Sequence, residues 1–335
     1  MELNFEHRTA AHCENGVTAG LLRSYGYDYS EPLIFGLSGS LFFVNLPFIK
    51  LAGFPVVSFR PLPGVIFSRV MRMLGFKTRK TFFLSKKNAE KKLDSLLEKG
   101  VPTGVVVGMY YLPYMPLEYR FHFNAHNLCV IGKEEDHYIV SDPCAIEKVN
   151  ISKKDMLRAR FAKGTWPPMG KLYWITSTPS QKPDLNLLVR KAIRKNCYRM
   201  LHQPGPVPWV GVNAFRYMAK NIPQFPEKYG PRKAALYLAQ IVRMMEEIGT
   251  GGAGFRFLYA AFLQEAAVIT QIDELNVFSE RMTAIGDLWR EFATEAARIY
   301  KNRSAENVNY QSIAKFLAEI GEKEAQFFRD IEKIV

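Results

Sequence analysis

The chain has 335 residues, of which 48% are hydrophobic and 23% are charged. These values are typical of globular proteins and exclude a disordered or fibrous chain, and the length suits two domains of ordinary size. The net charge of +13, from 45 Lys and Arg against 32 Asp and Glu, favours an acidic partner such as a nucleic acid, an anionic lipid or an acidic protein. The basic excess is concentrated in residues 60–92 and 182–199, for which a solvated face is the alternative interpretation.

Cysteine usage and hydropathy indicate the compartment. Four cysteines do not make a disulfide framework in a chain this long, and the first residues lack the basic and apolar segments of a signal peptide. The uncharged stretch Leu33–Ile49 is interrupted by glycine, serine, asparagine and proline, so it predicts buried core rather than a membrane span. We therefore expect a cytoplasmic protein without a membrane segment.

The first half of the chain mixes helix and strand signals. Gly26 and Gly100 end two helical patterns, and Ser85 is a good N-cap for the second. Valine-rich and alternating segments predict strands, two of which form a hairpin over a polar turn at 133–136. In chain order the predicted elements are helices at 13–25 and 86–99, then strands at 101–111, 126–131, 137–142 and 170–176.

The second half of the chain is helical by pattern. A linker rich in serine and proline covers 177–183, and a Pro/Gly stretch at 203–211 and a glycine-rich loop at 249–252 interrupt the helices. We therefore predict an α+β domain at 1–178 with an antiparallel sheet, followed by an all-α domain at 183–335. The predicted helices are 184–202, 212–221, 230–247, 254–271, 273–301 and 304–334.

Three residues of the first half form a candidate catalytic set. Cys13 stands at the start of a predicted helix, where unpaired N–H groups favour a thiolate. A nucleophilic cysteine needs a base, and the base needs an orienting group. His126 begins one strand of the hairpin and Asp142 ends the next, so the hairpin supplies both.

The hairpin register decides whether this set can assemble. An odd loop, for example 133–135, would place His126 directly opposite Asp142, whereas an even loop would place it opposite Pro143. A bulge at Gly132 would fix the register.

Each of these residues also has a structural interpretation. A buried free cysteine is commonly inert, and a histidine in a strand can be a satisfied core residue. A zinc site from His12, Cys13, His122 and His126 is disfavoured, because His122 and His126 lie in an extended pattern rather than on a helix. We therefore predict no metal. The glycine-rich segments lack the residues that a phosphate-binding loop requires.

At these residues the chain resembles the butirosin biosynthesis protein H family. The similar segments are Phe5–Gly16 around Cys13, Tyr25–Gly39, His126–Gly132, Tyr138–Pro143 and, in the helical half, Glu247–Ala267. The resemblance implies a papain-like cysteine fold used for acyl transfer, with a thioester donor on a carrier protein and an amine acceptor. It implies that Cys13 attacks the thioester, His126 shuttles protons and Asp142 orients His126.

The resemblance also suggests further site residues. The oxyanion would meet the Cys13 backbone N–H. His7 stands near the position of a second donor, which is glutamine in papain-like enzymes, and we assign His7 and His12 to the oxyanion hole and its support. Substrate binding is assigned to Ser30, Glu31, Gly36, Gly39, Thr250, Gly251, Gly252, Arg256 and Tyr259.

We therefore predict an acyltransferase of small-molecule biosynthesis. Its expected partners are an acidic acyl carrier protein and a small amine, with no cofactor beyond the phosphopantetheine arm of the carrier, and the basic stretches are candidate docking surfaces. A cysteine hydrolase (peptidase, amidase or thioesterase) with the same triad and a non-catalytic binding protein are the alternatives. Nucleic-acid binding is disfavoured, because the basic stretches contain no recognisable motif.

Overall fold

The computed structural model describes residues 1–51, 53–202, 207–303, 305 and 307–335. The chain forms two compact units, one made of 1–34 with 63–183 and the other of 35–62 with 184–335. This division differs from the predicted contiguous one, because residues 35–62 group with the helical second half. The physical reason is aromatic packing: Phe43 stacks on Phe215 at 4.4 Å between ring centroids, and Phe59 lies 5.6 Å from Trp289.

The first unit contains an antiparallel sheet and short helices. Helix α2 (Glu31–Leu37) is divided between the two units. The other elements of the first unit are α1 (Cys13–Arg23), α3 (Val65–Met73), β3 (Lys77–Thr81), α4 (Lys86–Leu97), β4 (Thr103–Val107), β5 (His126–Glu134), β6 (His137–Ser141), β7 (Val149–Ser152), α5 (Lys153–Arg160) and β8 (Leu172–Ser177). Strands β1 (Val44–Leu51) and β2 (Phe54–Ser58) belong to the second unit.

The sheet of the first unit has the strand order β3-β8-β4-β5-β6-β7 in the described part of the chain, and neighbouring strands are antiparallel. Leu128, Val130 and Val140 lie in a buried core with Leu93 of α4 and Met156 of α5. Leu128 and Val130 reach the same core because residues two apart in a strand point to the same face of the sheet. Helix α1 packs against β5. This packing brings the N-terminus of α1 to the strand that begins with His126.

The predicted hairpin of β5 and β6 is present, but its loop has an even number of residues. Glu134 pairs with His137, so two residues connect the strands. The pairing then shifts by one residue between Val130 and Gly132. This is the bulge expected near Gly132, and it lets two residues of β5 oppose one of β6.

The bulge decides which residues share a face. Beyond it Cys129 lies opposite Ser141, and continuing that register places Asp142 opposite Leu128. The predicted direct pairing of His126 with Asp142 is therefore wrong. Because Leu128 is two residues along the same face from His126, the two side chains are diagonal neighbours and still meet.

The second unit is a helical bundle with a two-stranded hairpin. Each helix predicted in this half is present: 212–221 has the predicted bounds, and the others have shifted ends. Residues 203–206 of the predicted break and positions 304 and 306 lie outside the described residues. The elements are β1 (Val44–Leu51), β2 (Phe54–Ser58), α6 (Leu185–His202), α7 (Val212–Asn221), α8 (Phe225–Tyr229), α9 (Pro231–Glu246), α10 (Arg256–Thr270), α11 (Glu274–Tyr300) and α12 (Tyr310–Ile331).

The fold class agrees with the prediction: an α+β first part with an antiparallel sheet, followed by a helical part. Residues Leu33–Leu37, Leu41 and Phe43 of the uncharged stretch are buried, whereas Phe48 and Ile49 are exposed at the end of β1. Among the described residues, no helix combines the length and the apolarity needed to cross a bilayer.

Candidate active site

Cys13 is the first residue of α1. The helix begins there because His12 has an extended backbone and its ring Nδ1 accepts a hydrogen bond of 3.4 Å from the Asn15 N–H. Cys13 is 7% exposed and stands at a helix N-terminus, where the helix dipole favours an anion.

A carboxylate holds the backbone that precedes the cysteine. Glu31 Oε2 accepts from the Ala11 N–H at 2.9 Å and Oε1 from the His12 N–H at 2.8 Å. Burial raises the pKa of Glu31, and these two hydrogen bonds partly offset that effect. Ser30 Oγ accepts from the Leu33 N–H at 3.1 Å. In this structure both predicted substrate-binding residues therefore shape the backbone.

His126 and Asp142 form a buried hydrogen-bonded pair. His126 Nε2 donates to Asp142 Oδ2 at 2.8 Å, and both residues are almost completely buried. The same oxygen accepts from the Tyr114 hydroxyl at 2.8 Å, while Oδ1 accepts from the Cys144 N–H at 2.9 Å. Burial opposes the charge of Asp142, but His126 and these donors outweigh it and lower the pKa of the carboxyl.

The thiol of Cys13 completes the set. Its side chain hydrogen-bonds His126, and because Nε2 is bound to Asp142, the ring nitrogen left for sulfur is Nδ1. Burial disfavours the imidazolium, but the charges of Asp142 and of a Cys13 thiolate, with their hydrogen bonds, hold the pKa of His126 well above its ordinary value. The structure thus brings the three predicted catalytic residues together in the order cysteine, histidine, carboxylate that an activated thiol requires.

The raised pKa of His126 predicts its protonation state in solution. We expect the imidazole to remain charged above pH 6.5, the ordinary pKa of histidine, in the wild type and to titrate at lower pH in Asp142→Asn. The stabilisation from the charged ring is complete below the unfolded-state pKa and disappears as pH rises through the folded-state pKa. Histidine NMR titration, with His126 assigned by comparison with His126→Gln, measures this, and a midpoint at or below 6.5 would contradict the ion pair.

Cys144 is a neighbour of the triad that the sequence did not single out. Cys144 is exposed as a whole residue, but its thiol is largely shielded from water, and this desolvation raises the pKa of the thiol to about 12. His126, Asp142 and Cys144 each place one possible metal-ligand atom within 4.8 Å of the other two. Imidazole nitrogen, carboxylate oxygen and thiolate sulfur are all donors that zinc accepts. A metal ion would have to displace the hydrogen bonds that both oxygens of Asp142 already accept, so Asp142 fits a hydrogen-bonded partner of His126 better than a metal ligand.

Asn127, Tyr114 and Tyr173 also belong to the site, and none of them was predicted from the sequence. Asn127 Nδ2 lies 3.9 Å from Cys13 Sγ, and Asn127 Oδ1 accepts from the Tyr173 hydroxyl at 2.8 Å. The available signal for Asn127 was a polar residue directly after His126 in an otherwise apolar strand. No spacing or periodicity links Tyr114 to Asp142.

The predicted oxyanion residues have other partners. His7 Nε2 donates to the Ala145 carbonyl at 3.1 Å, which leaves Nδ1 to accept from Ser141 Oγ at 2.8 Å. Both ring nitrogens of His7 are therefore engaged away from an oxyanion in this arrangement. His12 caps α1 through Nδ1, which agrees with a supporting position next to Cys13.

The remaining predicted binding residues lie in the second unit, where packing explains them. A Cβ at Gly36 would come within 2.1 Å of the Phe262 ring, and Gly39 has a φ of +55°. Thr250 Oγ1 donates to the Met245 carbonyl and accepts from the Gly252 N–H, and Gly251 and Gly252 have positive φ, as a tight turn requires.

Arg256 and Tyr259 are fully buried. Arg256 Nη2 donates to Glu324 at 2.5 Å, and the Trp289 indole N–H donates to the same carboxylate at 3.1 Å. Arg256 is thus half of an internal ion pair rather than an open anion receptor. Its predicted role in substrate binding has no geometric support here.

A cysteine at a helix N-terminus beside a buried histidine–aspartate pair is the arrangement of a papain-like cysteine enzyme. Residues 154–331 match the family model described as "Domain of unknown function (DUF4872)", and because this match spans more than half of the chain, the protein belongs to that family. Residues 12–143 match the model described as "Butirosin biosynthesis protein H, N-terminal". The resemblance proposed from the sequence is therefore confirmed, over a segment that contains Cys13, His126 and Asp142.

Comparisons with individual proteins add little to the family assignment. No curated protein matches the chain. A crystal structure described as a C39-like peptidase from Bacillus anthracis is 15% identical, covers 53% of this chain and 92% of its own, and has a TM-score of 0.35.

Proposed function

We propose that the protein is a cysteine-dependent acyltransferase that moves an acyl group from a thioester donor to an amine. The observation that carries the proposal is the hydrogen-bonded set of Cys13, His126 and Asp142 inside the segment that matches butirosin biosynthesis protein H. The match supports a biosynthetic cysteine enzyme, and the acyl-transfer chemistry is our inference.

The chemistry follows from the ion pair. The Cys13 thiolate attacks the thioester carbonyl, and collapse of the tetrahedral intermediate breaks the donor C–S bond and leaves an acyl-Cys13 thioester. The leaving thiolate takes the proton from His126. The amine then attacks the acyl-enzyme, neutral His126 accepts the amine proton, and the amide departs as the Cys13 thiolate forms again. The hydrogen bond to Asp142 keeps the ring oriented throughout.

A thioester donor demands less acid catalysis from His126 than a peptide does. A thiolate is a good leaving group and needs little help from an acid, whereas the amine leaving group of a peptide must be protonated. The single histidine therefore suffices for both transfer steps.

The proposed donor is carried by an acidic protein. Basic residues between 72 and 91 are exposed on the first unit, and Phe82 and Leu84, at 66% and 84% exposure, lie among them. Strand β3, with three of these cations (Lys77, Arg79 and Lys80), is an edge strand of its sheet, where lysine also prevents edge pairing. In the stretch 182–199, by contrast, Arg190, Arg194 and Arg199 donate to backbone carbonyls of the second unit. The surface at 72–91 is the better candidate for docking.

Charge reversal tests this docking surface. In the variant Lys77→Glu, Arg79→Glu, Lys87→Glu we expect KM for a carrier-bound thioester to rise roughly tenfold, because complementary charge steers association, while a small synthetic thioester reacts at the wild-type rate. Steady-state kinetics with both donors measures the difference. Lys182→Glu, Lys191→Glu, Lys195→Glu, at three exposed lysines, is the matched control with the same number of reversed charges, and an equal effect of both variants would contradict docking at 72–91.

Product analysis separates transfer from hydrolysis. Purified protein is incubated with an acyl thioester, with and without a panel of primary amines, and amide and free acid are quantified by mass spectrometry. We expect amide to form at the expense of acid when the correct amine is present. Acid release that no amine changes would favour the hydrolase, and no release above the Cys13→Ala background would favour a binding protein.

A further inference from the structure

We propose that Asn127 is a further catalytic residue, whose side-chain amide donates to the Cys13 sulfur and stabilises the thiolate. The proposal deepens the acyl-transfer function above and rests on Cys13 being its nucleophile. Asn127, the residue after His126, thereby contacts the reacting atom, Cys13 Sγ.

The orientation of the Asn127 amide follows from its neighbours. One side-chain atom lies 3.0 Å from the Ala125 carbonyl, and because a carbonyl oxygen only accepts, that atom must be the nitrogen. The oxygen therefore faces the Tyr173 hydroxyl at 2.8 Å. The nitrogen has a second N–H, and Cys13 Sγ lies 3.9 Å from it.

Tyr173 fixes the orientation of the Asn127 amide through the hydrogen bond to Asn127 Oδ1. It is buried on β8, and its ring fits because position 104 is glycine, where a Cβ would come within 2.2 Å of the ring. Burial, with smaller contributions from Glu14, Cys129 and Cys13, raises the pKa of the phenol well above its ordinary value. The hydroxyl thus stays protonated and donates to Asn127 Oδ1, which prevents the amide from flipping.

The contact has a defined chemical role. An N–H donor favours the charged form of the group it faces, so Asn127 stabilises sulfur when it is a thiolate and not when it is acylated. It therefore assists the release of Cys13 from the acyl-enzyme as well as the resting ion pair. None of the other titratable groups around this sulfur is changed in the Asn127 variants below. The groups that interact with the sulfur or with its immediate neighbours are His126, Asp142, Cys144, Tyr173, Glu31, Glu14, Cys129 and Tyr114.

Thiolate absorbance tests the proposal without an acyl donor. The difference in absorbance at 240 nm between each protein and its Cys13→Ala counterpart is titrated against pH. Burial raises the pKa of the other three thiols, to about 12 for Cys144 and Cys197 and higher for Cys129, so the signal near neutral pH belongs to Cys13. We expect the midpoint to rise by about one pH unit in Asn127→Leu and further in Asn127→Asp.

Tyr173→Phe provides a second route to the same result, because it frees the amide without changing Asn127. We expect a smaller upward shift, and Cys129→Ala, on the same strand as Asn127, should cause none. If the Asn127 variants fold and the midpoint of their Cys13 titration equals that of the wild type, the proposal is overturned. If the Asn127 variants do not fold, an unchanged midpoint in Tyr173→Phe overturns it instead. A wild-type protein without a thiolate near neutral pH would instead overturn the nucleophile itself.

Discussion

Asp142→Asn is expected to reduce the rate of Cys13 acylation by about 10³–10⁴-fold without unfolding the protein. The carboxylate accepts hydrogen bonds from His126, Tyr114 and the Cys144 N–H, and an amide cannot accept from all of these donors. The amide also removes the negative charge that holds the proton on His126. Stopped-flow acylation with a small thioester measures the rate.

Two variants test whether Asp142 acts through His126. Tyr114→Phe removes one hydrogen bond to the same carboxylate and should cost about tenfold, since the charge remains. In a His126→Ala background, Asp142→Asn should add little, because residues that act as a unit are not additive. Full additivity of the two losses would contradict the triad.

Glu324→Ala is expected to lower the free energy of unfolding by about 3–5 kcal/mol, because it leaves Arg256 buried without its ion-pair partner. Arg256 has no exposed surface, and the carboxylate of Glu324 also accepts from Trp289. The guanidinium lies 5.2–6.0 Å from the ring centroids of Phe59, Phe215 and Trp289. These rings carry no net charge, so they cannot replace the negative charge of Glu324. Denaturant unfolding followed by tryptophan fluorescence measures the loss.

Glu322→Ala is the matched control on the same helix. Glu322 pairs with Arg216 at 2.7 Å, but the two side chains are 54% and 60% exposed, and surface pairs contribute about 0–1 kcal/mol. Similar losses in the two variants would show that burial of the Arg256 pair has no special weight.

The grouping of Cys13, His126 and Asp142 could be proposed from the sequence, because it depends on residue type and local setting; the structure places the three together, and their catalytic role stays a prediction. A cysteine at a helix start, with a histidine and an aspartate on adjacent strands, is recognisable from residue types and patterning alone. The register is not, since a two-residue loop and a bulge shift the pairing in opposite directions. A shift of the pairing by one residue would move every side chain to the other face of the sheet. The even loop and the bulge each make such a shift, so together they keep His126 and Asp142 on the same face.

Features that depend on long-range packing escaped prediction. Residues 35–62 carry no local signal that their aromatic side chains will pack with Phe215 and Trp289. Tyr114 reaches Asp142 from an irregular segment, and Arg256 meets Glu324 across 68 residues of sequence. A charged residue beside a glycine-rich loop suggested a ligand, whereas its partner in the fold is an acid on another helix.

Trapping the acyl-enzyme tests the central claim most directly. The protein is mixed with an acyl thioester in the absence of amine, quenched in acid within seconds, and examined by intact-mass and peptide mass spectrometry. We predict a mass increase of one acyl group, located on Cys13, in the wild type and none on that peptide in Cys13→Ala. An adduct located on Cys144, or turnover of the thioester by Cys13→Ala at the wild-type rate, would contradict the account.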